Sequence, residues 1–99
     1  MRQETKIIKD FLHKKFPDKT FSVSLRRASN YIDYGDKVLI KTEVPFKEMV
    51  TALREIVKHM SIYRKGGMGE TYLSFCDSEI VGCDSKKCMV DFIEIDTPN

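Results

Sequence analysis

Apolar positions along the chain recur at two periods, and the change from one to the other separates helices from strands. Over residues 2–16, Ile7, Ile8, Phe11, Leu12 and Phe16 share one side, with Lys6, Lys9, Asp10, Lys14 and Lys15 on the other. That stripe predicts an amphipathic helix. Pro17 disfavours the α region at the residue before it, so the helix should end at about Phe16. From Thr20 the period is two: Phe21, Val23 and Leu25 alternate with Ser22, Ser24 and Arg26, the pattern of a half-buried strand. Ala28-Ser29-Asn30 is a turn signal. Tyr31–Tyr34 is strand-like, Gly35-Asp36 is a plausible tight turn, and Lys37–Glu43 is a further strand centred on Val38, Leu39 and Ile40. These pieces make a three-strand meander if the Gly35-Asp36 turn is tight. Otherwise Tyr31–Tyr34 belongs to a wide loop.

The most regular stripe lies in Pro45–Tyr63, where Phe46, Met49, Val50, Leu53, Ile56, Val57 and Met60 recur at helical spacing. Pro45 suits a first helical position, and Gly66, Gly67 and Gly69 end the pattern. One long helix is predicted here, buried on one face and organising the core. Beyond it, Thr71–Cys76, Glu79–Cys83 and Cys88–Ile95 read as strands. The last of these is apolar on both sides. It therefore lies centrally in a sheet, or one side meets another chain in a homodimer. The order α-β-β-α-β-β-β predicts an α+β fold: a mostly antiparallel sheet of four to five strands with two helices on one face.

At 99 residues the chain is expected to be one domain, and 41% hydrophobic with 32% charged residues excludes a disordered chain. No apolar run approaches the roughly 20 residues of a membrane span, so no membrane association is expected. The charged N-terminus lacks an apolar signal region, and the cytoplasm is the expected compartment. There, Cys76, Cys83 and Cys88 are expected to be free thiols, small part-buried strand residues with no zinc-like spacing. A metal or redox site is the alternative.

Charge is uneven. Residues 1–69 hold 15 Lys/Arg and 8 Asp/Glu, a net of +7; residues 70–99 hold 2 and 7, a net of −5. This implies either a basic face for nucleic acid or an acidic partner, or mutual attraction of the two halves within the fold.

Catalytic chemistry finds little support. No nucleophile motif, P-loop or H-E-x-x-H occurs, and His13 and His59 both fall where a helix is expected. Asp91, Glu94 and Asp96 alternate on the last strand and read as a solvated face rather than a metal site or carboxylate pair. No enzyme activity and no cofactor are expected.

Two stretches suit binding. Gly66-Gly67-Met68-Gly69, preceded by Arg64 and Lys65, fits the G-x-x-G loop with which KH domains clamp a nucleic-acid backbone. A KH clamp needs a helix directly after the loop, whereas Thr71–Phe75 reads as strand. The bland reading is a mobile connection. The second stretch is Arg26-Arg27 with the nearby Tyr31 and Tyr34, joined by Lys37 and Lys41 if the strand register allows. Basic and aromatic residues on one sheet face are what single-stranded nucleic-acid binders use, and an ordinary wet face shows them too.

Phe16-Pro17-Asp18-Lys19-Thr20-Phe21-Ser22-Val23-Ser24 follows a short amphipathic helix, and Ile32-Asp33 and the helix from Pro45 come after it. This succession resembles the LPD29-type small domain of phage and conjugative-element polyvalent proteins over about residues 5–60. The resemblance implies a small accessory protein of a mobile element and transfers no functional residue. Together these features suggest a non-enzymatic binding module that modulates a host protein or nucleoprotein, in the manner of an inhibitor of host defence. The alternative is a KH-like or sheet-face binder of single-stranded RNA or DNA. Candidate contacts are Arg26, Arg27, Tyr31, Tyr34, Arg64, Lys65, Gly66 and Gly69.

Overall fold

The computed structural model describes residues 3–26, 36–66, 69–70, 79–83 and 90–98. They form helix α1 (Gln3–Lys15), strands β1 (Ser22–Arg26) and β2 (Asp36–Lys41), helix α2 (Phe46–Leu53), and strands β3 (Val57–Lys58), β4 (Ser61–Arg64), β5 (Gly69–Glu70), β6 (Glu79–Ile80) and β7 (Val90–Asp96). The class is α+β, as the patterning predicts. Tyr31–Tyr34, Thr71–Cys76 and the glycine–methionine pair Gly67-Met68 lie outside the described residues.

The long helix expected over Pro45–Tyr63 is not formed. α2 ends at Leu53, and the chain unwinds through a tighter turn in which Glu55 N–H donates to Ala52 O at 3.1 Å and Ile56 N–H to Leu53 O at 3.0 Å. Residues 57–58 and 61–64 are strands. Val57, Met60 and Ile62 are still buried, at 0%, 3% and 0% exposure. The apolar residues thus reach the core through a strand, a turn and a second strand. The β-branched Ile56, Val57 and Ile62 fit pleated backbone better than helix, and non-local pairing with β6 and β7 decides the outcome. Pro45 is the N-cap residue, one place before the expected position, with extended backbone and its carbonyl accepting from Met49 N–H at 3.0 Å.

The main sheet has the order β1-β2-β7-β4-β5, and β3 and β6 form a separate two-stranded ladder. The expected antiparallel character holds only at the edges, where β1 pairs with β2 and β4 with β5. β7 runs parallel to both β2 and β4. The cause is α2. It carries the chain from β2 to β4 so that both run the same way, as a helical crossover does, and β7 inserts between them to complete a split β-α-β unit. β7 is therefore central, with Ile93 and Ile95 in the core and Phe92, Glu94 and Asp96 alternating on its other side. β1 pairs directly with β2, in the register Leu25↔Val38, so no third strand stands between them and the meander is not formed.

The core lies on one face of this sheet. Val38, Ile40, Ile62, Ile93 and Ile95 meet Ile8 and Leu12 of α1 and Met49, Val50 and Leu53 of α2 in one cluster. Ile80 joins it from β6. The chain's end is tied down by Thr97, whose Oγ1 donates to the Val44 carbonyl at 2.9 Å in a buried bond. No helix among the described residues is long and apolar enough to cross a membrane.

Candidate functional site

Alternation along the strands puts a second set of side chains on the sheet face opposite the core cluster. In register these are Ser24 and Arg26 on β1, Lys37, Leu39 and Lys41 on β2, Phe92, Glu94 and Asp96 on β7, and Ser61 and Tyr63 on β4. Arg26 stands directly opposite Lys37, and Lys41 lies two pleats along from Leu39's neighbour Lys37 on the same side, so the register does bring these three cations to one face.

At the centre of the face is an aromatic pair. Tyr63 and Phe92 meet edge to face at 5.6 Å between centroids and 79° between planes, a favoured quadrupole geometry. Lys37 Nζ lies 5.9 Å from the Phe92 centroid, in cation–π range. It also donates to both carboxylate oxygens of Glu94 at 3.3 Å. On the far side Lys65 Nζ sits 3.5 Å from Asp96 Oδ2, and the Lys65 backbone N–H donates to Ile95 O at 2.9 Å. Acids of β7 therefore meet cations from the first two thirds of the chain. This supports mutual attraction of the two halves as a reason for the uneven charge.

The other candidates fall as follows. Arg26 is exposed at the end of β1. Arg27, Tyr31 and Tyr34 lie outside the described residues. Arg64, the last residue of β4, is half-buried and donates through Nη2 to the Thr97 carbonyl at 3.3 Å. Gly66 adopts φ +74°, a left-handed value that favours glycine, in the connection from β4 to β5. Tyr63 pairs with Gly69 in that hairpin. The G-x-x-G sequence thus joins two antiparallel strands, and β5 stands where a KH clamp would need a helix.

The acids of β7 divide by neighbour. Glu94 and Asp96 are ion-paired. Asp91 is the extra residue where the register slips between Asp36↔Val90 and Lys37↔Phe92, a β-bulge. Burial, and then the nearby Asp36 carboxylate, raise its pKa above the ordinary 3.8. Among the described residues no three His, Cys, Asp or Glu side chains are grouped to hold a metal ion. His13 packs edge-on against Phe21 at 6.3 Å, a structural contact. His59 is not helical: it makes the turn between β3 and β4 at φ +53°. Cys83 is disulfide-bonded, so the expectation of three free thiols is corrected; its partner lies outside the described residues.

Tyr63 and Phe92 are not among the candidate contacts that the sequence offers, because a helix predicted to end at Tyr63 hides which side it faces. The available signal was the alternation Phe92-x-Glu94-x-Asp96 on a strand whose other side is Ile93 and Ile95. The likeness to the LPD29-type domain rests on the sequence motif alone: no protein-family model, curated protein or solved structure matches the chain.

Proposed function

We propose that this chain is a small non-enzymatic binding module that engages a protein surface through the sheet face centred on Tyr63 and Phe92. In this reading it is an accessory protein of a phage or plasmid that acts in the host cytoplasm by occupying a host protein or nucleoprotein. The observation that carries the reading is the charge matching around the aromatic pair. Lys37, over the Phe92 ring, and Lys65, two residues beyond Tyr63, are each met by a carboxylate of β7. A polyanion would have to displace those carboxylates, whereas a protein partner gains from aromatic anchors ringed by alternating charge. Half-buried tyrosine and phenylalanine supply contact area at little entropic cost, and the paired charges favour a partner of complementary pattern.

Arg26 and Lys37 near Phe92, with Lys41 farther along the same face, favour a second reading, a single-stranded RNA or DNA laid across that face. Capture from host lysate with and without nuclease separates the two. A protein retained after nuclease treatment, and lost with Tyr63→Ala, supports the first. An oligonucleotide that binds at low salt, with a slope against log salt reduced by about 1 for each of Arg26→Ala and Lys41→Ala, supports the second and overturns the first.

A further inference from the structure

β1 is an edge of the main sheet, and among the described residues it pairs with β2 alone. Alternate residues of an antiparallel edge strand turn their N–H and C=O groups away from the neighbour, ready to bond another strand. Edges are commonly blunted by a proline, a bulge or a central charge. Ser22-Val23-Ser24-Leu25-Arg26 has no proline, keeps an unbroken register with β2, and carries its single charge at its end. Its burial is also incomplete. Val38 and Ile40 of β2 are both 0% exposed. Leu25 and Val23, their partners across the ladder, are only half-buried against the same core cluster. The apolar side of the sheet therefore ends at β1 on two side chains that one more strand would cover.

We infer that the strand completing this edge is β1 of a second copy of the chain, laid antiparallel about Ser24 on a two-fold axis. In that register β1 is its own complement. Ser24 faces the partner's Ser24, and Val23 and Leu25 face the partner's Leu25 and Val23 on the core side. Arg26 faces the partner's Ser22, so no two cations stand directly opposite. Ser22 lines an open groove of about 470 Å³ with Thr20, Lys41 and Glu43, room enough for an arginine side chain. The partner's Arg26 enters it beside the Glu43 carboxylate, and the same contact repeats at the other end of the ladder. Lys41 shares the groove, where one carboxylate between two cations offsets their repulsion. The axis runs normal to the sheet, so the Tyr63–Phe92 faces of both copies lie on one side of a continuous sheet.

Sedimentation equilibrium of the full chain tests this. A five-residue ladder buries less than a standard interface, so a dissociation constant of roughly 10–100 µM is expected. The weight-average mass should rise from 11.5 kDa toward twice that value between about 1 µM and 1 mM. Alternate amides within residues 22–26 should exchange more slowly over the same range. The Lys65 and Val81 amides, which donate to Ile95 O and Ile56 O within the chain, should keep their rates. Arg26→Glu and Glu43→Arg, both at exposed positions, should each weaken association about tenfold or more. Mixed in equal amounts, the two variants should dimerise with each other at near the parental affinity, because each then meets the opposite charge at both ends of the ladder. A misfolded variant could not recover in this way. Unslowed exchange in β1, or no recovery on mixing, would overturn the two-fold pairing. So would a mass fixed at 11.5 kDa across the whole range, which would assign the edge to an extended segment of another protein.

Discussion

Lys37 Nζ reaches both carboxylate oxygens of Glu94 at 3.3 Å, across two parallel strands and 57 residues of sequence. Both side chains are largely withdrawn from water, at 30% and 18% exposure, and the lysine also covers the Phe92 ring. A pair in this position holds β2 and β7 in register and screens a ring that water would otherwise wet. Removing one partner leaves the other poorly compensated. Lys37→Met and Glu94→Gln should each cost about 1–2 kcal/mol in urea unfolding. The double variant should cost less than the sum, by a coupling of about 1 kcal/mol. Strict additivity would mean the pair contributes only to the face it decorates.

Asp91 should set a measurable pH dependence. Its pKa is raised in the folded chain, so the folded state binds the proton more tightly than the unfolded state. Stability therefore falls as pH rises through the window between the ordinary 3.8 and the raised folded value. Above that window the ionised Asp91, facing Asp36, is a cost; below it the cost is absent. Asp91→Asn should raise the midpoint of unfolding near neutral pH, and the difference from the parent should vanish as the pH is taken below 3.8. A constant difference at every pH would assign the gain to something other than this charge.

His59 takes a left-handed backbone, φ +53°, where the chain reverses between β3 and β4. A β-branched residue is disfavoured there. His59→Val should lower stability by about 1–2 kcal/mol, while His59→Asn should be close to neutral. Thermal unfolding of the two variants provides the comparison. Equal losses would point to the imidazole's contacts instead of the backbone.

The buried bond from Thr97 Oγ1 to Val44 O fixes the end of β7 against the entry to α2. Thr97→Val keeps the volume and leaves the carbonyl without this donor, at a cost of about 1–2 kcal/mol. Hydrogen exchange should show the loss concentrated at Thr42, whose N–H donates to Asp96 O.

Local pattern was enough for some of this protein. α1 and its end before Pro17 follow from a clean 3.6-residue stripe and a proline. β1, β2 and β7 follow from alternation or from a short apolar run. Each of those segments has one conformation that buries its apolar side, so the segment alone decides.

Residues 54–64 are different. Their apolar spacing fits the extension of α2 and fits two strands joined at His59, because Val57 and Met60 become buried either way, whereas Ile62, off the helical stripe, is buried only as part of a strand. Only partners far along the chain, Ile80 for Val57 and Ile93 for Ile62, select the strands. The parallel run of β2, β7 and β4 is equally invisible in sequence, since it depends on where the crossover through α2 sets the chain down. That placement brings Lys37, Tyr63, Phe92 and Glu94 to one face. The sequence determined the amphipathic pieces and their charges. The tertiary structure decided which of them meet, because pairing energy between distant strands outweighs a helical preference that residues 54–64 express only weakly.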